Sequence, residues 1–424
     1  MHFLLLSLIA WYIFYNGWTR FVPLFSYYDE FVVIISIGYL FINFSQSRIR
    51  LIKTHTVMIA NIGVVFFIAI LSLLSKIINE TPFNNLVLFV FNISKIYIIT
   101  FAAFYSKINL RRFINDLTIL LKIIFYFSLI FILIDFFSYG INVFNVSPDW
   151  TGNILIGAHQ LCSTSLALFL VSSLNMFTYR SKNYFITILY LFIALLAGQW
   201  SIIIFFIPLT LLFLNLLGYQ KLFKIKGVFA ITGFIYIFYE VAKYYYSGLI
   251  QNTAKFIVGI PQVNFWHKIS LNGILDSSFL LFGVGPGYGG SPVAEKYATP
   301  FFNEYFKSVI ELFSWTNSGI FTQAFSSLNT ITSDVGLMVY FAITFSLIMN
   351  IFIIYKIVKK YKVDPYNSFM IPFCFLIMVG FSLVIIRSLL LNSYFAGGEP
   401  FAYLSCILFG LLYKFSKQNE IELY

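Results

Sequence analysis

The sequence predicts an all-α integral membrane protein of about twelve spanning helices, with a long external loop near residues 247–331. Three observations carry that prediction. The chain of 424 residues is 60% hydrophobic and only 10% charged, whereas soluble domains average about 25% charged. Its apolar residues come in runs of about 20, the length at which a helix spans lipid while satisfying its own backbone. Its basic residues gather in alternate connections, as the positive-inside rule requires of cytoplasmic loops.

Twelve apolar segments have cores near 2–15, 26–44, 56–78, 85–105, 117–138, 154–178, 184–198, 200–217, 227–246, 332–355, 368–391 and 399–415. The opening MHFLLLSLIAWYIFY lacks a basic n-region and a small-x-small cleavage site, so it reads as a first span. Segments seven and eight nearly touch at Gly198-Gln199-Trp200-Ser201, and fusing them would change the parity. Charge decides between the two counts. With twelve spans and both termini cytoplasmic, the inner connections hold 17 of the 27 basic residues. They are Arg48, Arg50 and Lys53; Lys107, Arg111 and Arg112; Arg180 and Lys182; Lys221, Lys224 and Lys226; Lys356, Lys359, Lys360 and Lys362; and Lys414 and Lys417. The short outer loops hold little beyond Arg20. The net charge of +11 is therefore a topology signal, and nucleic acid is not expected as a partner. Cys162, Cys374 and Cys406 lie far apart inside apolar segments, a pattern for packing and not for a metal site or disulfides.

The whole chain, 1–424, reads as one polytopic domain, with the 247–331 loop capping it. That loop is rich in Phe, Tyr and Trp, unlike a disordered linker. Two pieces of it read as amphipathic helices, Phe265 to Leu281 and Phe301 to Trp315. In the second, Glu304, Lys307 and Glu311 share a face opposite Phe302, Phe306 and Phe313. Between the two lies LLFGVGPGYGG, with Gly283, Gly285, Gly287 and Gly289 at every second position. Gly285, Gly287 and Gly290 satisfy a bare G-x-G-x-x-G, but no strand precedes it, and Pro286 and the expected external location argue against a dinucleotide loop. No Lys-Ser/Thr follows either, which excludes an NTPase phosphate loop. A tight turn remains, where glycine permits positive φ and close backbone approach.

The wider pattern is more informative. FWHKISLNGILDSSFLLFGVGPGYGG places a tryptophan ahead of an FG-x-G-x-G run on the late outer loop, and FSSLNTITSDVGLMVYF leads into the tenth segment. Upstream, GNILIGAHQLCSTSLALFL enters the sixth segment, and LLAGQWSIIIFFIPLTLLFL breaks at a polar knot. In this order, over about Gly152 to Phe415, the chain resembles the bacterial O-antigen polymerase and O-antigen ligase superfamily. The resemblance implies a metal-independent membrane glycosyltransferase with no cofactor, in the bacterial cytoplasmic (inner) membrane. It further implies glycan donors and acceptors carried on undecaprenyl diphosphate, used at the outer face, and a chain-length regulator and a flippase as partners. Gln199-Trp200 stands where the family's knot carries arginine, and no histidine precedes Ser326 or Asn329 as in the ligases. Both departures favour a polymerase over a ligase.

Candidate residues follow from the chemistry. A departing diphosphate needs a cation, and arginine forks onto phosphate while staying charged. Arg387, in the outer half of the eleventh segment, is the main candidate, since a charge deep in a span usually faces the interior and has a task. Asp334 is a candidate base or sugar ligand, and His159, after the glycine in IGAHQ, a third catalytic candidate. Trp266, His267, Lys268, Asp276, Gly283, Gly285 and Gly287 are candidate substrate-binding residues on or before the glycine loop. Lys95 and Asp135, both intramembrane, are expected to pair with each other, and Glu240 with Lys243 likewise. The rival reading is a transporter or lipid-linked oligosaccharide flippase. Carriers of the major facilitator type keep their longest loop inside and mid-chain, whereas here it is late and external, and no internal repeat is evident.

Overall fold

The computed structural model describes residues 1–14, 22, 27–45, 56–139, 158–179, 183–197, 200–218, 233, 260–291, 293–294, 297, 299–307, 326–361, 368–390 and 400–421. Every regular element among them is helical. In chain order these are α1 (His2–Ile13), α2 (Tyr28–Ser45), α3 (Thr56–Ile78), α4 (Phe83–Tyr105), α5 (Leu110–Tyr139), α6 (Ala158–Tyr179), α7 (Tyr184–Leu196) and α8 (Trp200–Leu216). Then come α9 (Ile260–Leu271), α10 (Ser277–Phe282), a π-helical turn (Phe302–Lys307), α11 (Ser327–Val335), α12 (Leu337–Tyr361), α13 (Ile371–Leu390) and α14 (Pro400–Ile421). Among the described residues, five stretches are long and apolar enough to cross a membrane: Thr56–Ile78, Phe83–Tyr105, Leu110–Ile134, Leu337–Tyr361 and Ser368–Leu389. The shorter apolar helices include His2–Ile13, Gln160–Met176, Tyr184–Leu196 and Ile202–Leu216. The expected ninth segment, with Glu240 and Lys243, lies outside the described residues except at position 233.

Burial divides the helices. α4, α13 and α14 form the centre, where Phe375, Leu376 and Ile407 are wholly buried. α3 turns Phe66, Ile70, Leu74 and Ile77 outward, and α5 and α12 do the same with Ile123, Ile130, Phe345 and Phe352. Exposed apolar surface on this scale is what lipid, not water, would cover. Small residues let the central helices close in. A methyl group on Gly380 would lie 2.1 Å from Ser405 Oγ, and one on Gly410 would lie 2.5 Å from the Thr100 carbonyl.

Polar contacts sort the helix ends into two groups. At one end His2 meets Asp116 at 2.8 Å, Tyr39 donates to the Tyr105 carbonyl, Lys414 to the Ser106 carbonyl, and the Arg111 guanidinium covers the Phe369 ring. At the other, α3 reaches α11, and Tyr340 meets Ser388 at 3.0 Å. Between them sits a buried ion cluster. Lys95 on α4 bonds Asp29 on α2 at 2.9 Å and also Glu30, while the Tyr403 hydroxyl of α14 donates to Asp29 at 3.0 Å. The partners of Lys95 come from α2; the side chain of Asp135, its expected partner, lies outside the described residues. The three cysteines are buried and free.

The late loop departs from expectation in one respect. Its first amphipathic helix is not continuous from Phe265 to Leu281 but breaks between α9 and α10, where Gly273 takes φ +69°. Asp276 starts α10 as its cap, accepting the Phe279 N–H at 2.7 Å. The second is described to Lys307, with Phe302 and Phe306 buried and Glu304 exposed as the pattern requires; Glu311, Phe313 and Trp315 lie outside the described residues.

Candidate functional site

The glycine loop folds around a carboxylate. Asp334, the penultimate residue of α11, is fully buried. Its Oδ1 accepts the Gly289 N–H at 2.7 Å and the Gly290 N–H at 2.9 Å, and its Oδ2 accepts the Gly287 N–H at 3.3 Å. Burial pushes the carboxyl up to about 7, while the Ser291 hydroxyl and these three N–H groups pull the other way. The α11 backbone joins in, since Ser333 and Asp334 carbonyls accept from Val284 and Gly285 at 2.7 and 2.9 Å. A concave run of N–H groups is the device that loops elsewhere use to cradle phosphate; here it is filled by the protein's own side chain.

Glycine is required by contact as well as by conformation. Gly285 takes φ +111°, and a methyl group there would lie 2.2 Å from the Thr81 side chain. Gly336, at φ +89°, separates α11 from α12, and its methyl would lie 2.1 Å from the Leu281 carbonyl. That break leaves Asp334 before the long apolar helix, although the sequence pattern places the start of the tenth segment near residue 332.

The α3–α4 hairpin forms the other wall. Ser75 Oγ donates to the carbonyls of Phe282 at 2.5 Å and Asp334 at 3.2 Å. Asn79 Nδ2 reaches the Gly283 carbonyl at 3.4 Å, and Asn85 Nδ2 the Gly287 carbonyl at 3.2 Å. Besides Ser291, sequence reasoning overlooked these three hairpin residues. Their signal is the polar run in SLLSKIINETPFNN, set between two apolar segments where lipid anchoring alone would need no asparagines.

Of the candidates, the structure brings Asp334, Gly283, Gly285, Gly287 and Trp266 together. Trp266 Nε1 on α9 donates to Asn329 Oδ1 on α11 at 3.0 Å. Lys268 Nζ donates to the Glu304 carbonyl at 2.5 Å and lies 5.5 Å from the Tyr305 ring centre, so it is engaged by the π-helical turn. His267 is exposed on α9. The His159 side chain, in the first turn of α6, lies outside the described residues. Arg387 on α13 is only 3% exposed. It lies within electrostatic reach of the Cys162 thiol on α6, and the next residue, Ser388, bonds Tyr340, four residues beyond Gly336. α11 itself packs on α13.

A separate small cleft lies between α1, α5, α6 and α14, lined by Tyr12, Ser163, Thr164 and Tyr403 amid apolar residues. Among the described residues no group of three His, Cys, Asp or Glu side chains could hold a metal ion. Comparison with known protein families and with curated proteins found nothing that matches this chain.

Proposed function

We propose that the protein is an O-antigen or exopolysaccharide polymerase of twelve spans. It joins repeat units carried on undecaprenyl diphosphate at the outer face of the cytoplasmic membrane. The observation that carries this reading is Arg387, a guanidinium kept almost wholly buried in an apolar helix, one residue from the contact that ties α13 to the start of α12. A buried arginine near a helix end suits a lipid-borne diphosphate, which lies at headgroup depth and needs charge but no proton. The segregation of helix ends supports alternating spans, with basic Arg111 and Lys414 at one end and the glycine loop at the other. Outside-facing α9, α10 and the π-helical turn then cap the site.

In this reading Arg387 holds the donor diphosphate. A hydroxyl of the acceptor glycan attacks the donor's anomeric carbon and gives up its proton to water, the bond from that carbon to the diphosphate oxygen breaks, and the lipid diphosphate departs with its charge against the guanidinium. Asp334, with both oxygens engaged, anchors the loop that shapes the site.

The test is deletion of the gene in the producing bacterium, followed by gel analysis of its surface polysaccharide. Glycans of a single repeat unit, restored to a ladder by the intact gene, support the polymerase. Loss of all surface repeat units, with lipid-linked units trapped inside, would instead identify a flippase, and unattached long chains a ligase.

A further inference from the structure

α11 is a short helix with an unusual burden. Ser327, Asn329, Thr330, Thr332, Ser333 and Asp334 are all buried in it. Some are spent locally, as Ser333 Oγ bonds the Asn329 carbonyl at 2.7 Å. Asn329 is not fully spent. Its side-chain oxygen accepts from Trp266 Nε1 at 3.0 Å and from Ser326 Oγ at 3.2 Å. An indole N–H can only donate, so the amide cannot be flipped, and its NH₂ group must point away from both donors. Among the described residues that nitrogen is buried without a hydrogen-bond partner, and so is Thr332 Oγ1, three residues on along the same helix face. Polar atoms desolvated in this way normally have partners, so two on one face of one turn point to an occupant.

Above this face lies a distinct aromatic cap. Phe265, Phe279, Phe301, Phe302 and Phe306 make their own small core, apart from the main one, with Trp266 and Tyr288 packed on it. The cap meets α11 through the Trp266–Asn329 bond and the Asp334 latch.

We propose that the polar face of α11 beneath this cap is a subsite for the neutral, hydroxyl-bearing part of the glycan, with Asn329 Nδ2 and Thr332 Oγ1 as its hydrogen-bonding groups and Trp266, bonded to the Asn329 oxygen, as the ring that holds Asn329 in place. The inference rests on the polymerase reading for the identity of the sugar, but its chemistry is set by the groups themselves. An uncharged NH₂ donor and a hydroxyl match a polyol, and the charged end of the same substrate belongs to Arg387. In this structure Asn329 and Thr332 are fully buried and Trp266 is bonded to Asn329, so a bound sugar must displace that covering.

The test uses the full-length protein in lipid nanodiscs and, as probe, the oligosaccharide repeat unit freed from the producing bacterium's surface polysaccharide. Binding is read by calorimetry and by tryptophan fluorescence, with Trp266→Phe identifying the reporting ring. Thr332→Val keeps shape and removes only the unpartnered hydroxyl, and it should weaken binding about fivefold, the worth of one neutral hydrogen bond. Asn329→Asp keeps an acceptor for Trp266 and Ser326 while removing the NH₂, and it should weaken binding more. Both variants binding like the parent, or no binding by a parent that makes polymer in cells, would overturn the subsite. Binding lost in both variants of a parent whose deletion leaves the polysaccharide ladder intact would keep the subsite and remove the polymerase.

Discussion

Asp334 accepts the Gly289 N–H at 2.7 Å across 45 residues of chain, and this pair holds the glycine loop against the end of α11. The loop is therefore part of the helix-packing interface rather than a free surface feature. Its glycines answer to backbone and side chains on three sides: α11, the α3–α4 hairpin and the π-helical turn.

Gly336→Ala should be among the most damaging small substitutions in the chain. The new methyl would meet the Leu281 carbonyl at 2.1 Å with the backbone at φ +89°. The conformation alone costs about 1–3 kcal/mol. Gly285→Val should act similarly through Thr81. Both should lower the melting temperature in detergent and speed proteolysis of the late loop and, on the proposed polymerase reading, abolish long polymer while the protein still inserts.

Asp334 makes stability depend on pH in a defined direction. Its carboxyl stands at about 7 in the folded protein against an ordinary 3.8. The folded state holds the proton more tightly than the unfolded state, so the burial penalty is present in full above about 7 and is relieved as pH falls toward 3.8. Acidification from about pH 8 to 5 should thus raise stability, by on the order of 2 kcal/mol from this group. Asp334→Asn should remove that part of the slope and loosen the loop, because its NH₂ would face the Gly287 N–H or the Gly289 and Gly290 pair.

Arg387→Ala should leave insertion and folding near the parent's while reducing long-chain polymer at least about tenfold, if a charge-assisted bond to diphosphate is lost. Arg387→Lys should recover part, since a point charge replaces the fork. A normal ladder from Arg387→Ala would remove its assigned role.

Lys95→Met tests the buried cluster. It strands Asp29 and Glu30 without their cation, a change that costs about 3–5 kcal/mol when a buried pair is broken from one side. The triple variant with Asp29→Asn and Glu30→Gln should recover most of the loss in a detergent melt. Recovery of stability with polymer still formed would fix the cluster as structural.

Asp276→Ala separates capping from binding. Loss of the bond to the Phe279 N–H should cost about 1 kcal/mol and leave glycan binding unchanged.

The helical, apolar character of the chain was readable because it is written in bulk properties: few charges and long apolar runs. The pattern at Phe302, Phe306 and Glu304 was readable for the same reason, since burial follows helical period there. Partner choice was not. Lys95 was expected against Asp135, yet Asp29 and Glu30 face it, because a lone intramembrane charge in a sequence carries no mark of which helix lies beside it. The role of Asp334 was hidden for a related reason. A helix-start acid near a glycine carries no mark that it anchors a loop, and the N–H directions of Gly287, Gly289 and Gly290 show that Asp334 does. The break at Gly273 was legible in principle, with Asn-Gly before it and Asp276 as a cap, but the flanking apolar period masked it.

The carboxylate inside the glycine loop makes that loop a stoppered anion hole. Truncating Asp334 to glycine draws the stopper: three converging N–H groups remain, aimed at a space the size of a carboxylate. Small planar anions such as formate or acetate should then slip in and restore, in a concentration-dependent way, the thermal stability that the truncation removes. Bulky anions should not, since Phe306 and the Val293 side chain crowd Gly290 and Gly287 beside the same hole.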